Sequence, residues 1–172
     1  LPVYASIDQS KQAIAFSRLK NIDSLARSGP LTPDHVIRTK RIPALIGPDV
    51  ERSVSVFANK YTRYFNNFSS GDVAMLDPAP RWAIWPGYGV VSFGTTLKDA
   101  RIVADIARHT FIAMGHAEQA LRGWKPLPAS KLFDIEYWEL EQAKLKSSAT
   151  SNATHRGKVA VVSGSAAGIG FA

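Results

Sequence analysis

Hydrophobic residues recur every three or four positions in two long segments, which predicts two amphipathic helices. The first runs from Asp49 to about Phe68, and the Asp49 carboxylate is suited to capping the free amides of its first turn. The second begins after Thr96, which forms a capping-box pair with Asp99, and it runs to about Leu121. The two apolar stripes consist of Val50, Val54, Phe57, Tyr61, Tyr64 and Phe68, and of Val103, Ile106, Ala107, Thr110, Met114 and Ala117.

Shorter segments flank these helices. Residues 8–27 carry apolar groups at roughly helical spacing and fit one broken helix or two short ones. Residues 36–39 and 42–46 are bounded by prolines, which block helix continuation, so both are expected to be edge strands or ordered loop. A last helix is predicted near Asp134 and is expected to continue through the acidic and basic residues that follow.

A strand–loop–helix unit is predicted after the first long helix, and its helix is the second long helix. Residues 81–85 form the strand, and Gly87, Gly89 and Gly94 punctuate the loop. The loop is a candidate phosphate site because the helix after it begins with free backbone amides. A plain structural turn is the favoured alternative.

Composition places the chain among ordinary globular proteins. It has 172 residues, 45% hydrophobic and 20% charged, which excludes disordered, collagen-like and coiled-coil classes. It has no cysteine, which excludes a disulfide scaffold and a thiol nucleophile and fits a reducing compartment, so a cytoplasmic protein is expected. No apolar run reaches the ~18–20 residues of a membrane helix and no signal-peptide pattern precedes the chain, so we expect neither membrane insertion nor export.

The formal net charge is +7, and its densest basic spot is Arg38, Lys40 and Arg41 beside His35. Guanidinium and ammonium groups there could hold a phosphate or carboxylate, and a solvated basic face is the favoured alternative. Nucleic-acid binding is not expected, because neither a known module nor a basic stripe with exposed aromatic residues is present.

The last sixteen residues, 157–172, have the pattern of a dinucleotide-binding start. The run 159–162 is typical of a strand buried on both faces of a parallel sheet, and its neighbours would have to come from outside these residues. Gly164, Gly168 and Gly170 follow, and such glycines allow a sharp turn and a close approach of the backbone to a pyrophosphate at a helix N-terminus.

Residues 157–170 closely resemble the N-terminus of a short-chain dehydrogenase/reductase, with Ser163 where that family usually has Thr. The resemblance implies NAD or NADP as the cofactor. Its implied cofactor-binding residues are Ser163, Gly164, Ser165, Gly168, Ile169 and Gly170. The family's Tyr-x-x-x-Lys signature is missing from this chain, so no catalytic residue is assigned here.

Residues 32–40, 85–89 and 136–145 resemble the C-terminal part of the aldolase half in bifunctional class II aldolase/short-chain dehydrogenase fusions of the rhamnulose-1-phosphate aldolase/alcohol dehydrogenase type. That family holds a divalent metal, usually zinc, with a His-x-His pair upstream of the region matched here. No His-x-His is present, and His109 and His116 lie about 10.5 Å apart along a helix, so no metal ligand is assigned.

The resemblances together imply an α/β chain with three parts. Residues 1–146 would be a C-terminal α/β subdomain of an aldolase-like region, residues 147–156 a linker, and residues 157–172 the first strand and glycine loop of a truncated Rossmann-type domain. The implied function is a fragment of a bifunctional, NAD(P)-dependent enzyme of sugar or sugar-phosphate catabolism. Its expected partners are a nucleotide cofactor, a small sugar-derived substrate and further copies of itself.

This chain by itself is expected to be inactive, with at best millimolar nucleotide affinity, because one loop cannot enclose a dinucleotide. The alternative is a non-catalytic α/β scaffold or assembly module, whose terminal strand completes the sheet of a partner.

Overall fold

The computed structural model describes residues 3–147 and three separate later positions, Val161, Ser163 and Ala166. Residues 3–147 form a mixed α/β fold around one four-stranded sheet. In chain order the elements are β1 (Tyr4–Asp8), α1 (Lys11–Ser17), α2 (Ile22–Leu25), a 3₁₀ turn (Pro33–His35), α3 (Val36–Thr39), β2 (Ala44–Leu45), α4 (Val50–Phe68), β3 (Trp82–Trp85), β4 (Gly89–Gly94), α5 (Leu97–Ala120), α6 (Ala129–Glu136) and α7 (Glu139–Ser147).

The strands lie in the order β1-β4-β3-β2. Strand β4 is antiparallel to both of its neighbours, whereas β2 is parallel to β3. Ile7, Val91, Ala83 and Ala44 lie side by side across the sheet, which fixes the register of all four strands.

Helices cover both faces of the sheet, so the fold has two hydrophobic cores. Side chains alternate along β3, and Trp82 and Ile84 therefore face the first core, which α1 and α5 complete. Ala83 faces the second core, which α4 and α6 complete with Phe57 and Phe133. Because β3 contributes to both cores, it is the central strand of the packing.

Several predicted elements are confirmed. Helix α4 begins after Asp49, whose carboxylate accepts a hydrogen bond from the Arg52 amide at 2.9 Å. Helix α5 begins after Thr96 and ends at Ala120, and the Thr96 hydroxyl oxygen accepts a hydrogen bond from the Asp99 amide at 3.1 Å. Of the two forms predicted for residues 8–27, one broken helix or two short ones, the structure has the two short helices α1 and α2. The strand expected at 81–85 is β3.

Three predicted elements are wrong. Residues 36–39 are helical, because Pro33 stands in the first turn of the segment, where a missing amide hydrogen costs nothing. Residues 89–94 are strand β4 rather than loop, since two neighbouring strands satisfy the backbone. The helix expected near Asp134 is two helices, α6 and α7, which separate at Tyr137 and Trp138.

The apolar stripe of α4 is buried only in part. Phe57, Tyr61 and Tyr64 are buried, whereas Val50 and Val54 are 49% and 37% exposed. The strand nearest to α4 is β2, which has only two residues, so it offers too little surface to cover the first turns of a 19-residue helix.

The predicted linker, terminal strand and glycine loop lie outside the described residues, except for Ser147 at the end of α7 and three separate positions. Val161 among these is 96% exposed and belongs to no strand. The division of the chain at 147–156 therefore stays a prediction. Among the helices of the described part, none combines the length and the apolar character needed to cross a lipid bilayer.

Candidate functional site

The glycine-rich segment 85–94 is the turn and second strand of a β-hairpin whose first strand is β3. Pro86 and Gly87 occupy its central turn positions, Gly87 has φ of +84°, and the Tyr88 amide donates to the Trp85 carbonyl at 2.9 Å. At the other end of β4, Gly94 packs against the first turn of α5 so closely that a Cβ would overlap the amide of Ala100. Gly94 thus allows the close packing of β4 against α5, which favours the structural turn over the phosphate interpretation.

The histidines form no metal centre in the described part of the chain, where no group of three or more His, Cys, Asp or Glu side chains could hold a metal ion. His35 is half-buried near His109. Burial lowers the pKa of His35, the nearby His109 lowers it further, and Asp34 raises it.

The densest basic segment of the sequence turns inward at Lys40. This residue has φ of +58°, follows the last turn of α3 and is only 4% exposed, so the solvated-face interpretation is wrong for it. Its ammonium group donates a hydrogen bond to the Asp77 carbonyl and lies 3.4 Å from the centre of the Tyr61 ring. A carbonyl and an aromatic face thus replace the water that an exposed lysine would have.

A buried carboxylate lies in the same region. Glu136, at the end of α6, is 1% exposed and accepts a hydrogen bond from the Tyr61 hydroxyl at 2.8 Å. The Tyr61 and Tyr137 hydroxyls are also 2.8 Å apart, and the Tyr137 oxygen accepts a bond from the Leu76 amide. We call Lys40, Tyr61, Glu136 and Tyr137 the buried polar cluster; it joins α3, α4 and α6.

The ionisation of this cluster follows from its burial. Burial lowers the pKa of Lys40 to about 7, Arg81 lowers it further, and Glu136 and Asp77 oppose the shift. Burial raises the pKa of Glu136, against the hydrogen bond from Tyr61 and the charge of Lys40. Burial, followed by the charge of Glu136, raises the pKa of Tyr61. Lys40 is therefore the group of the cluster that can change its protonation near neutral pH, and the Glu136 Oε2 atom is buried without a hydrogen-bond partner among the described residues.

An open groove of about 480 Å³ lies outside the cluster, and we call it the basic groove. Its walls come from the residue after α2, the residues after α3, the second half of α4 and the first residue of α6. Its lining consists of Arg27, Arg41, Ile42, Lys60, Arg63, Tyr64, Asn67, Phe68 and Ala129. A narrow crevice of about 10 Å³, which is room for about one water molecule, shares four of these residues and reaches Lys40.

Sequence reasoning missed both the cluster and the groove. Lys40 and Arg41 belong to the predicted basic spot, and Glu136 and Tyr137 lie in a segment that carries the family resemblance, but nothing in the sequence indicates that these segments meet each other and Arg27. The one local signal was the spacing of Lys60 and Arg63, which places two cations on the same face of α4.

No described contact places the predicted cofactor-binding residues in the basic groove. Ser163 is exposed at a turn, and Gly164, Ser165, Gly168, Ile169 and Gly170 lie outside the described residues.

Comparison with known proteins assigns the described domain. The family described as aldolase class II, second domain, matches residues 2–145. The chain belongs to this family. The aldolase part of the resemblance drawn from the sequence is thus confirmed at the level of the family.

Among curated proteins, the chain is similar to an uncharacterized oxidoreductase, YuxG, of Bacillus subtilis, with 28% identity over 97% of this chain and 26% of the relative. The chain thus spans about a quarter of the length of that relative. Among solved structures, it is similar to YgbL, provisionally described as an aldolase/epimerase/decarboxylase. The Escherichia coli protein has 17% identity and a TM-score of 0.48, over 77% of this chain and 56% of that one. The Klebsiella pneumoniae protein has 18% identity and a TM-score of 0.47, over 76% and 56%.

Proposed function

We propose that this chain is the second class II aldolase domain, and the beginning of the nucleotide-binding domain, of a bifunctional NAD(P)-dependent enzyme. The parent enzyme would transfer a hydride between a nicotinamide cofactor and a sugar-derived alcohol or aldehyde. Its aldolase chemistry would use a divalent metal that other parts of the parent hold.

The extent of the match to YuxG is the observation that carries this proposal. An alignment over 97% of the chain leaves only about five residues unmatched, so it extends beyond the aldolase family region, 2–145, into the glycine-rich tail. One protein named as an oxidoreductase therefore aligns with both segments in the same order. The sequence of the tail supports the cofactor assignment, because Gly164, Gly168 and Gly170 have the spacing of a dinucleotide turn.

The test is cofactor binding by the complete protein that contains this chain. We expect saturable NAD or NADP binding by titration calorimetry, and we expect Gly168→Ala to weaken it at least ~10-fold, because a Cβ would block the backbone from the pyrophosphate. Gly115→Ala in α5 is the matched control, since a Cβ there meets no atom within 4 Å. Failure of the complete protein to bind either nucleotide would contradict the proposal and favour the scaffold alternative.

A further inference from the structure

The basic groove concentrates positive charge, although Glu136 acts on Arg41 from the buried polar cluster and Asp23 lines a neighbouring cavity with Arg27 and Lys60. Arg27, Arg41, Lys60 and Arg63 line it, and none of its nine lining residues is acidic. None of these four cations takes part in an ion pair with a carboxylate in the described part of the chain, where the pairs involve Arg81, Arg108 and Lys131. The cations therefore repel one another in the free protein, and a bound anion would relieve that repulsion.

Arg41 is held in place before any ligand binds. Its guanidinium lies 5.1 Å from the centre of the Tyr64 ring and donates to the Arg27 carbonyl at 3.4 Å. Its Nε is buried and has no hydrogen-bond partner among the described residues. A fixed guanidinium loses little conformational entropy on binding, and its planar donors match the oxygens of a phosphate.

The size and walls of the groove indicate a ligand larger than a simple inorganic anion. Its volume of about 480 Å³ lies within the range of small-molecule sites. Ile42, Tyr64, Phe68 and Ala129 supply apolar surface beside the cations, and the Phe68 ring is 40% exposed. A ligand with a charged end and a ring-bearing or apolar end would cover both kinds of surface.

We propose that the basic groove binds a small organic polyphosphate, with its phosphates on Arg27, Arg41, Lys60 and Arg63 and its organic part against Phe68. This site is separate from the nucleotide site of the proposed function, which belongs to the tail, and it gives the aldolase second domain a ligand of its own.

The first experiment titrates the 172-residue chain with ATP, pyrophosphate and adenosine by calorimetry. We expect micromolar binding of ATP in the groove, which is tighter than the millimolar affinity expected of the glycine loop of the tail, together with weaker binding of pyrophosphate, no binding of adenosine, and a loss of affinity as salt rises. Arg63→Ala should weaken ATP binding about 10-fold, since it removes a charge-assisted contact. Arg52→Ala is the matched control, because Arg52 is exposed on the same helix and does not line the groove.

A second pair of variants separates the two ends of the ligand. Phe68→Ala should weaken ATP binding and leave pyrophosphate binding unchanged, whereas Lys60→Ala should weaken both. Gly168→Ala should change neither, which distinguishes this site from the one in the tail. The proposal is wrong if ATP does not bind, if Arg63→Ala and Arg52→Ala have equal effects, or if a peptide of glutamates binds the groove more tightly than ATP.

Discussion

Lys40 shows how one residue can combine backbone strain, burial and charge. Its positive φ turns the chain after α3, and this turn directs the side chain inward to the Asp77 carbonyl and the Tyr61 ring. Burial of the ammonium is costly, which is why the pKa of Lys40 falls to about 7. The residue therefore links the stability of the fold to pH in the neutral to alkaline range.

The burial of Lys40 should make the fold more stable as pH rises. Unfolded lysine has a pKa of 10.5, so between about pH 7 and 10 the unfolded chain holds a proton that folded Lys40 has released. The free energy of unfolding should accordingly rise with pH, by up to about 1.4 kcal/mol per unit from this group. Denaturant titrations at several pH values between about 7.5 and 9.5 give the free energy of unfolding as a function of pH. Its rise per pH unit should be smaller for Lys40→Met and unchanged for Lys20→Met, an exposed control. Equal slopes in all three proteins would refute this account.

Helix ends are the elements whose position is decided most locally. Thr96 and Asp99 are three residues apart, and the Thr96 hydroxyl both accepts from the Asp99 amide and donates to the Asp99 carboxylate, so the cap consists of bonds between near neighbours. The start of α5 was for this reason predictable to the residue. Strand β4 was not, because one of the two strands that satisfy its backbone, β1, is about 85 residues away in sequence.

Removing the cap of α5 should measure its contribution. Thr96→Ala deletes the hydroxyl that accepts from the Asp99 amide, and we expect a loss of about 1 kcal/mol in the free energy of unfolding. Ser55→Ala, an exposed position within α4, removes a hydroxyl without removing a cap and should change stability by less than about 0.5 kcal/mol. Chemical denaturation of both variants checks this, and a Thr96 effect no larger than that of Ser55 would contradict it.

At the scale of the whole molecule, the central sheet couples two cores into one structure. Consecutive residues of β3, Ala83 and Ile84, are fully buried on opposite faces, so damage to one core displaces the strand that the other core needs. We expect residues 3–147 to unfold as one cooperative unit.

Phe111 tests this coupling. It is 1% exposed in the first core and stacks on Phe16 with ring centres 5.4 Å apart. Phe111→Ala should cost about 3–5 kcal/mol, Phe111→Leu less than about 1.5 kcal/mol, and the exposed Val54→Ala under about 0.5 kcal/mol. Circular dichroism and tryptophan fluorescence should give coincident unfolding transitions for Phe111→Leu, and two separate transitions would show that the cores are independent.

The amino-acid sequence by itself determined the long helices, the caps at Asp49 and Thr96, and the α/β character of residues 3–147, because these depend on side-chain periodicity and on hydrogen bonds between near neighbours. Only the tertiary structure decided that residues 89–94 form a strand and that the Lys40 side chain turns inward. It alone assembled the buried polar cluster and the basic groove, since these bring together side chains from segments before and after α3, within α4 and at both ends of α6. Local patterns carry no information about which distant segments will meet, and packing of two cores against one sheet supplies it.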